Sequence, residues 1–204
     1  RKDQGPVTPT AHQSDIDSAA AIIRGAKRPV IIAGNGVRLA KAEAALKDFA
    51  NQHDIPVATT PAGKGTFPED EALALGLMGA FGHDTANQGV GAADVLIAVG
   101  TKLGASDTAN QHPQVINPNR QKLVQIDIEP LNLGWTTPVD RCVLGDAADA
   151  LQRLDAALEG VRFTGTNDVK ALRGQRLKLL SPAQPDVSKA MQNDDQMPIG
   201  RAGF

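Results

Sequence analysis

Two stretches, PVIIAG at residues 29–34 and DVLIAVG at residues 94–100, are apolar at consecutive positions. A strand with one face in water alternates apolar and polar residues. A run without that alternation is covered on both faces, as in a parallel sheet. Shorter runs of the same kind occur at Ile55 to Thr60, Leu73 to Gly76, Lys122 to Ile128 and in RCVLG at 141–145. Helical patterns fall around them. Ser14 is placed to cap a helix over DIDSAAAIIRGA, with Asp15 and Asp17 in its first turn and Gly25 closing it. Leu39, Ala42, Leu46 and Phe49 recur at helical spacing and predict one helix over residues 39–52. TANQGVGAA reads as a short helix, and Asp146 caps a last one, DAADALQRLDAALEG. Strands alternating with helices predict a doubly wound α/β sheet with right-handed crossovers.

Composition sets the outer limits. With 204 residues, 41% hydrophobic and 22% charged, the chain matches a globular domain with an appendage. Residues 1–13 read as a polar arm, 14–160 as the domain, and 161–204 as a linker leading out of it. VKALRGQRLKLL within that linker reads as a basic helix. A net charge of −2 without a basic block argues against nucleic acid and anionic membrane as partners. No apolar run approaches the roughly 18 residues that span a bilayer. The chain opens at Arg1 with no signal-peptide pattern, as a processed product or excised piece would. The single cysteine, Cys142, has no internal partner, which favours a reducing, cytoplasmic compartment; within a short strand it reads as a buried structural thiol. The four histidines show no metal-ligand spacing.

The turn Gly34-Asn35-Gly36-Val37-Arg38-Leu39 follows the first strand. A dinucleotide fingerprint needs a third glycine where Leu39 stands. It also needs an acid at the end of the second strand, about 20 residues on; here that strand ends in Thr59 and Thr60. The nicotinamide dinucleotide reading fails on both counts. A glycine turn at the carboxyl end of a parallel strand still points N–H groups at the crevice where open α/β sheets bind ligands. Four more turns follow strands: Pro61 to Gly65, Gly76 to Gly82, Gly100 to Gly104, and Asp127 to Pro130. Together they predict a nucleotide-like ligand site on one rim. Lys64 and Lys102 are placed to touch phosphate or to sit solvated. Asp127 is placed to accept bonds from ribose hydroxyls or to cap its own turn.

The order RPVIIAGNGV, IPVATTPAGKG, LGLMGAFG, AADVLIAVGTKL, LVQIDIEP and LGDAADALQRL resembles the central domain of thiamine-diphosphate-dependent enzymes, nearest the acetolactate synthase and pyruvate oxidase group. The resemblance implies a Rossmann-like three-layer domain with a mostly parallel six-stranded sheet, set between a pyrimidine-binding and a diphosphate-binding domain. It implies FAD or an adenine nucleotide in some members. On that mapping Gly34, Asn35 and Gly36 face the flavin nucleotide. Thr60, Pro61 and Ala62 form a contact loop, and Gly76, Met78 and Gly79 another. Asp127 and Ile128 lie near the adenosine end, and Gly145 and Asp146 near the ribityl or phosphate region. Gly100 and Lys102 open the segment that flavin-holding members write G-x-R-F-D-D-R. Here it is GTKLGASD, with lysine for arginine and Gly104 and Ala105 for the two acids. A lysine lacks the planar fork that arginine offers phosphate.

Thiamine diphosphate and Mg²⁺ belong, on the same resemblance, to the neighbouring domains of a homo-oligomeric parent. The chain has no GDG motif to hold them. It shows no nucleophile beside a base and no acid–base carboxylate pair. The expectation is an isolated central domain of a 2-keto acid decarboxylating, acyl-transferring enzyme, inactive alone. The alternative is a free-standing nucleotide-binding module without catalysis.

Overall fold

The computed structural model describes residues 9–164 and residue 171. The greater part of the predicted basic helix and of the expected linkers lies outside them. In chain order the elements are α1 (Gln13–Arg24), β1 (Pro29–Ala33), α2 (Asn35–Leu39), α3 (Glu43–His53), β2 (Val57–Thr59), β3 (Ala74–Leu77), α4 (Asp84–Ala92), β4 (Val95–Val99), β5 (Lys122–Asp127), β6 (Arg141–Leu144) and α5 (Ala147–Ala157).

The six strands form one sheet in the order β3-β2-β1-β4-β5-β6, and every neighbouring pair is parallel. The chain winds outward from β1 to β3, returns to the middle, and winds outward the other way. The reversal between β1 and β4 is the topological switch point of a doubly wound sheet. All strands being parallel, every strand-ending turn named above lies on the same carboxyl rim.

β1 and β4 are buried at all five positions, as their unbroken apolar sequences require. Successive residues serve opposite faces. Ile31, Ala33, Ile97 and Val99 pack with α1, α3 and α5, whereas Val30, Ile32, Leu96 and Ala98 pack with α4 and the β4–β5 connection. The helical cover on the first face includes Ile16, Leu46, Phe49 and Leu154. The second includes Met78, Val90, Leu103, Val115 and Ile116.

Three expectations are corrected. The helix expected over 39–52 is two helices: α2 ends at Leu39 and α3 starts at Glu43. Lys41 adopts the left-handed conformation (φ 53°), and the N–H groups of Lys41 and Ala42 donate to the carbonyls of Arg38 and Val37. That bonding closes a helix C-terminus, with a lysine where glycine is usual. Leu39 therefore leaves the buried side and is 77% exposed. The cap of α1 is His12, with no side-chain bond, so Ser14 lies inside the helix. Cys142 is exposed on the edge strand β6, not buried. Partial desolvation nonetheless pushes its thiol above the ordinary value; Arg141 opposes that shift and Asp15 adds to it. The cap expected at Asp146 is present: Oδ1 accepts from the N–H groups of Ala148 and Asp149.

Candidate ligand cleft at the carboxyl rim

At the switch point the glycines bring backbones together. Gly34 N–H donates to Val99 O and Gly36 N–H to Gly100 O, both at 2.9 Å. A Cβ on Gly36 would stand 2.5 Å from Gly100 Cα, and one on Gly34 2.3 Å from Gly100 O. Only bare backbone fits. The expectation that this turn aims its N–H groups into the crevice is therefore corrected for both glycines, whose donors are held by β4 and the residue after it.

The turn after β2 is closed in a similar way. Thr60 N–H donates to Ala33 O, and Thr60 Oγ1 accepts from Gly63 N–H. Pro61 and Ala62 continue that turn. Arg38 crosses to it, donating to Lys64 O at 2.6 Å and to Asn35 Oδ1 at 3.0 Å. The group after β3 faces elsewhere. Met78 is a fully buried core residue. Gly79 exchanges two bonds with the Asn87 amide, and a Cβ there would run into Ser106 O. Gly76 is within β3 itself.

A cleft of about 420 Å³ opens beside the switch point, toward β5 and β6. It gathers Asn35, Gly36, Gly100, Asp127, Ile128, Gly145 and Asp146 among the sequence-predicted residues. It leaves out Gly34, Thr60, Pro61, Ala62, Gly76, Met78, Gly79 and Lys102. Lys102 instead holds its ammonium 4.8 Å from the centroid of the Trp135 ring, an arrangement that attracts a cation to the ring face. Sequence reasoning missed Leu39, Ala40, Ile126, Glu129, Asn132 and Ala147. Periodicity assigns Leu39 to the core, and the break at Lys41 gives no glycine signal.

Asp127 answers the choice left open for it. Only 6% exposed, it accepts from Glu129 N–H and Asn132 Nδ2 through Oδ1. It caps its own turn and still lines the cleft. Gln125, buried in β5, ties the rim together. Its Nε2 donates to Thr101 O and Asn132 O, and its Oε1 accepts from Gly134 N–H. Gly145 lies under Ala11, and Asp146 N–H donates to Pro9 O, so residues 9–11 buttress the far wall.

The sequence model of the family described as "Thiamine pyrophosphate enzyme, central domain" matches residues 16–154. The chain belongs to that family. Over 147 residues it is 42% identical to a Methanocaldococcus jannaschii protein named "Probable acetolactate synthase large subunit", covering 72% of this chain and 24% of that one. It is 31% identical over 165 residues to the sulfoacetaldehyde acetyltransferase of Alcaligenes xylosoxydans, covering 81% of this chain and 27% of that one. The fold matches the X-ray structure of a Mycobacterium smegmatis protein described as a thiamin diphosphate-dependent enzyme, with TM-score 0.63 and 24% identity, over 78% of this chain and 30% of that one. The chain thus spans about a quarter of the length of these curated relatives. Among the described residues no helix is long and apolar enough to cross a membrane.

Proposed function

We propose that this chain works as the central domain of an acetolactate-synthase-like, thiamine-diphosphate-dependent enzyme that decarboxylates a 2-keto acid and transfers the resulting acyl unit. Its part is to space the pyrimidine- and diphosphate-binding domains and to contribute subunit contacts in a cytoplasmic homo-oligomer. The observation that carries this reading is the family match across the whole sheet, from α1 to α5. The chemistry of the described residues agrees with a non-catalytic part. Their one His–carboxylate pair, His53 with Asp155, is structural: Nε2 lies 3.0 Å from Asp155 Oδ1 and Nδ1 2.7 Å from Val161 O, and the ring is wholly buried. Both ring nitrogens face fixed oxygens, so neither is offered to a substrate.

Thiamine diphosphate and Mg²⁺ would be held by the flanking domains and would supply the carbanion chemistry there. Of the nucleotides the resemblance implies, the cleft suits a sugar and base. A flavin dinucleotide fits poorly, because no lysine or arginine lines the cleft to meet its diphosphate. The free-standing module reading rests on the same cleft and gains nothing from the family match.

The test is turnover of pyruvate with thiamine diphosphate and Mg²⁺. The polypeptide extended through the coding sequence on both sides is expected to release CO₂, and the present chain to release none. Turnover by the present chain, or an extended polypeptide that takes up no thiamine diphosphate, would overturn the proposal.

A further inference from the structure

One pentapeptide occurs twice in this chain. The sequence DTANQ stands at residues 84–88 and again at 107–111. The first copy opens α4. The second departs from a helix: its last three residues, Ala109, Asn110 and Gln111, have φ of 51°, 58° and 57°. The five residues' own preferences are identical, so their surroundings decide between the two forms. We infer that residues 104–112 are a strained strap with a second state, in which the second copy takes the right-handed helical form of the first, and that the loop after β3 holds the strap out of that state.

The strap begins as a helical turn. The N–H groups of Asp107 and Thr108 both donate to Gly104 O. Then the chain changes hand. Asn110 N–H reaches back to Ala105 O at 2.7 Å, the bond of a helix end whose left-handed residue is usually glycine. Here that residue is Ala109, and Gln111 is left-handed as well; of the three, only Asn110 accepts this conformation easily. Such strain persists where the surroundings impose it.

Two ties impose it here. Thr108, wholly buried, donates its hydroxyl to Gly104 O and accepts from Gln111 N–H. In the helical copy the matching hydroxyl, Thr85 Oγ1, is buried with no partner among the described residues. The second tie comes from outside the strap: Ala80 N–H, in the loop after β3, donates to Ser106 O at 2.9 Å. Phe81, next to Ala80, is 76% exposed and gives that loop a handle. Moving the loop outward breaks the Ser106 tie and lets the strap turn over. The far end stays put, because Val115 and Ile116 are buried and Pro113 ends any helix before it. The pocket of about 300 Å³ that Asn87 and Gln88 of α4 share with Ala109 and His112 is reshaped in the process. The strap thus carries a displacement of the rim loop to the outer side of α4.

The test begins with a matched pair. Gln88 and Gln111 are both exposed and hold the same place in the pentapeptide. By amide hydrogen exchange of the 204-residue chain, Gln111→Gly should slow the strap's amides about threefold, because glycine takes the left-handed form freely. Gln88→Gly should speed those of α4 about threefold. Thr108→Val should raise the strap's second state about tenfold. Saturation-transfer NMR then reads that state's Cα shifts, which should match those of residues 84–88. Gly79→Ala, whose Cβ would stand 2.2 Å from Ser106 O, prises the loop from the strap and should populate the same state. Faster strap exchange in Gln111→Gly, a second state with shifts of unfolded chain, or no second state in either Thr108→Val or Gly79→Ala would overturn the inference.

Discussion

The two faces of the sheet are covered by different means. On one, α1, α3 and α5 lie against residues of all six strands, and Phe163 extends the same core beyond the last helix. On the other, one nine-residue helix, α4, shares the work with an irregular connection between β4 and β5. That connection carries three successive left-handed residues, Ala109, Asn110 and Gln111, with φ of 51°, 58° and 57°. Each such residue is strained relative to ordinary backbone. It still inserts Leu103, Val115 and Ile116 into the core. The difference teaches where rigidity resides. The helical face fixes the sheet, and the irregular face is anchored by a few apolar side chains and local hydrogen bonds.

The sharpest way to break that contrast is to remove one core side chain from each face. Leu46→Ala on the helical face should lose about 4 kcal/mol in denaturant unfolding, and Leu103→Ala on the irregular face about 2 kcal/mol, because the looser cover collapses around the gap. Equal losses would contradict the contrast. Next come the glycines. Helix propensity alone would make Gly36→Ala favourable by about 1 kcal/mol. The backbone of Gly100, 2.5 Å from the new Cβ, should reverse the sign and destabilise by about 2 kcal/mol or more. Gly104→Ala, at the start of the irregular connection, meets nothing nearer than 3.8 Å and should change stability by less than about 0.5 kcal/mol.

Caps give a smaller test. Asp146→Ala removes the side-chain cap of α5 and should cost about 1 kcal/mol. α4 begins at His83 with no side-chain cap bond, so His83→Ser should stabilise by up to about 1 kcal/mol. Thermal melts of both variants check the pair.

The smallest effect concerns Cys142. Its thiol is raised above the ordinary value, so its thiolate is scarcer at neutral pH than in an unstructured peptide. Iodoacetamide should label it slowly at pH 7 and faster as pH climbs, lagging a peptide control throughout. The folded state holds this proton more tightly than the unfolded one. Its contribution is therefore intact below the unfolded thiol's pKa and is lost as pH rises from there through the folded one.

Much of the scaffold is written in the strands. Unbroken apolar runs at β1 and β4 specify a sheet buried on both faces, and the order of strands and helices specifies its winding. The features that escaped depend on conformation rather than on pattern. Lys41 occupies a left-handed position without a glycine to announce it, so two helices read as one and Leu39 reads as core. Ala109 to Gln111 hide their left-handed turn in the same way. Cys142 is in an edge strand, where an apolar neighbourhood in sequence does not guarantee cover. In the cleft, Asp127 and Asp146 are visible as polar residues ending strands. Glu129 and Asn132 come in through a short 3-10 turn at Pro130–Asn132, whose inward side no periodicity marks. The glycines of the first turn were legible as a turn, but which partner their N–H groups choose is decided by Gly100, sixty-odd residues away in the chain.

That partner choice is the point on which the reading of the rim depends. Amide hydrogen exchange of Gly34 and Gly36 in the ligand-free chain measures it directly. Bonds to Val99 O and Gly100 O predict protection comparable to that of the β1 amides. Exchange at the rate of an open loop would leave those donors free for a phosphate and contradict the account.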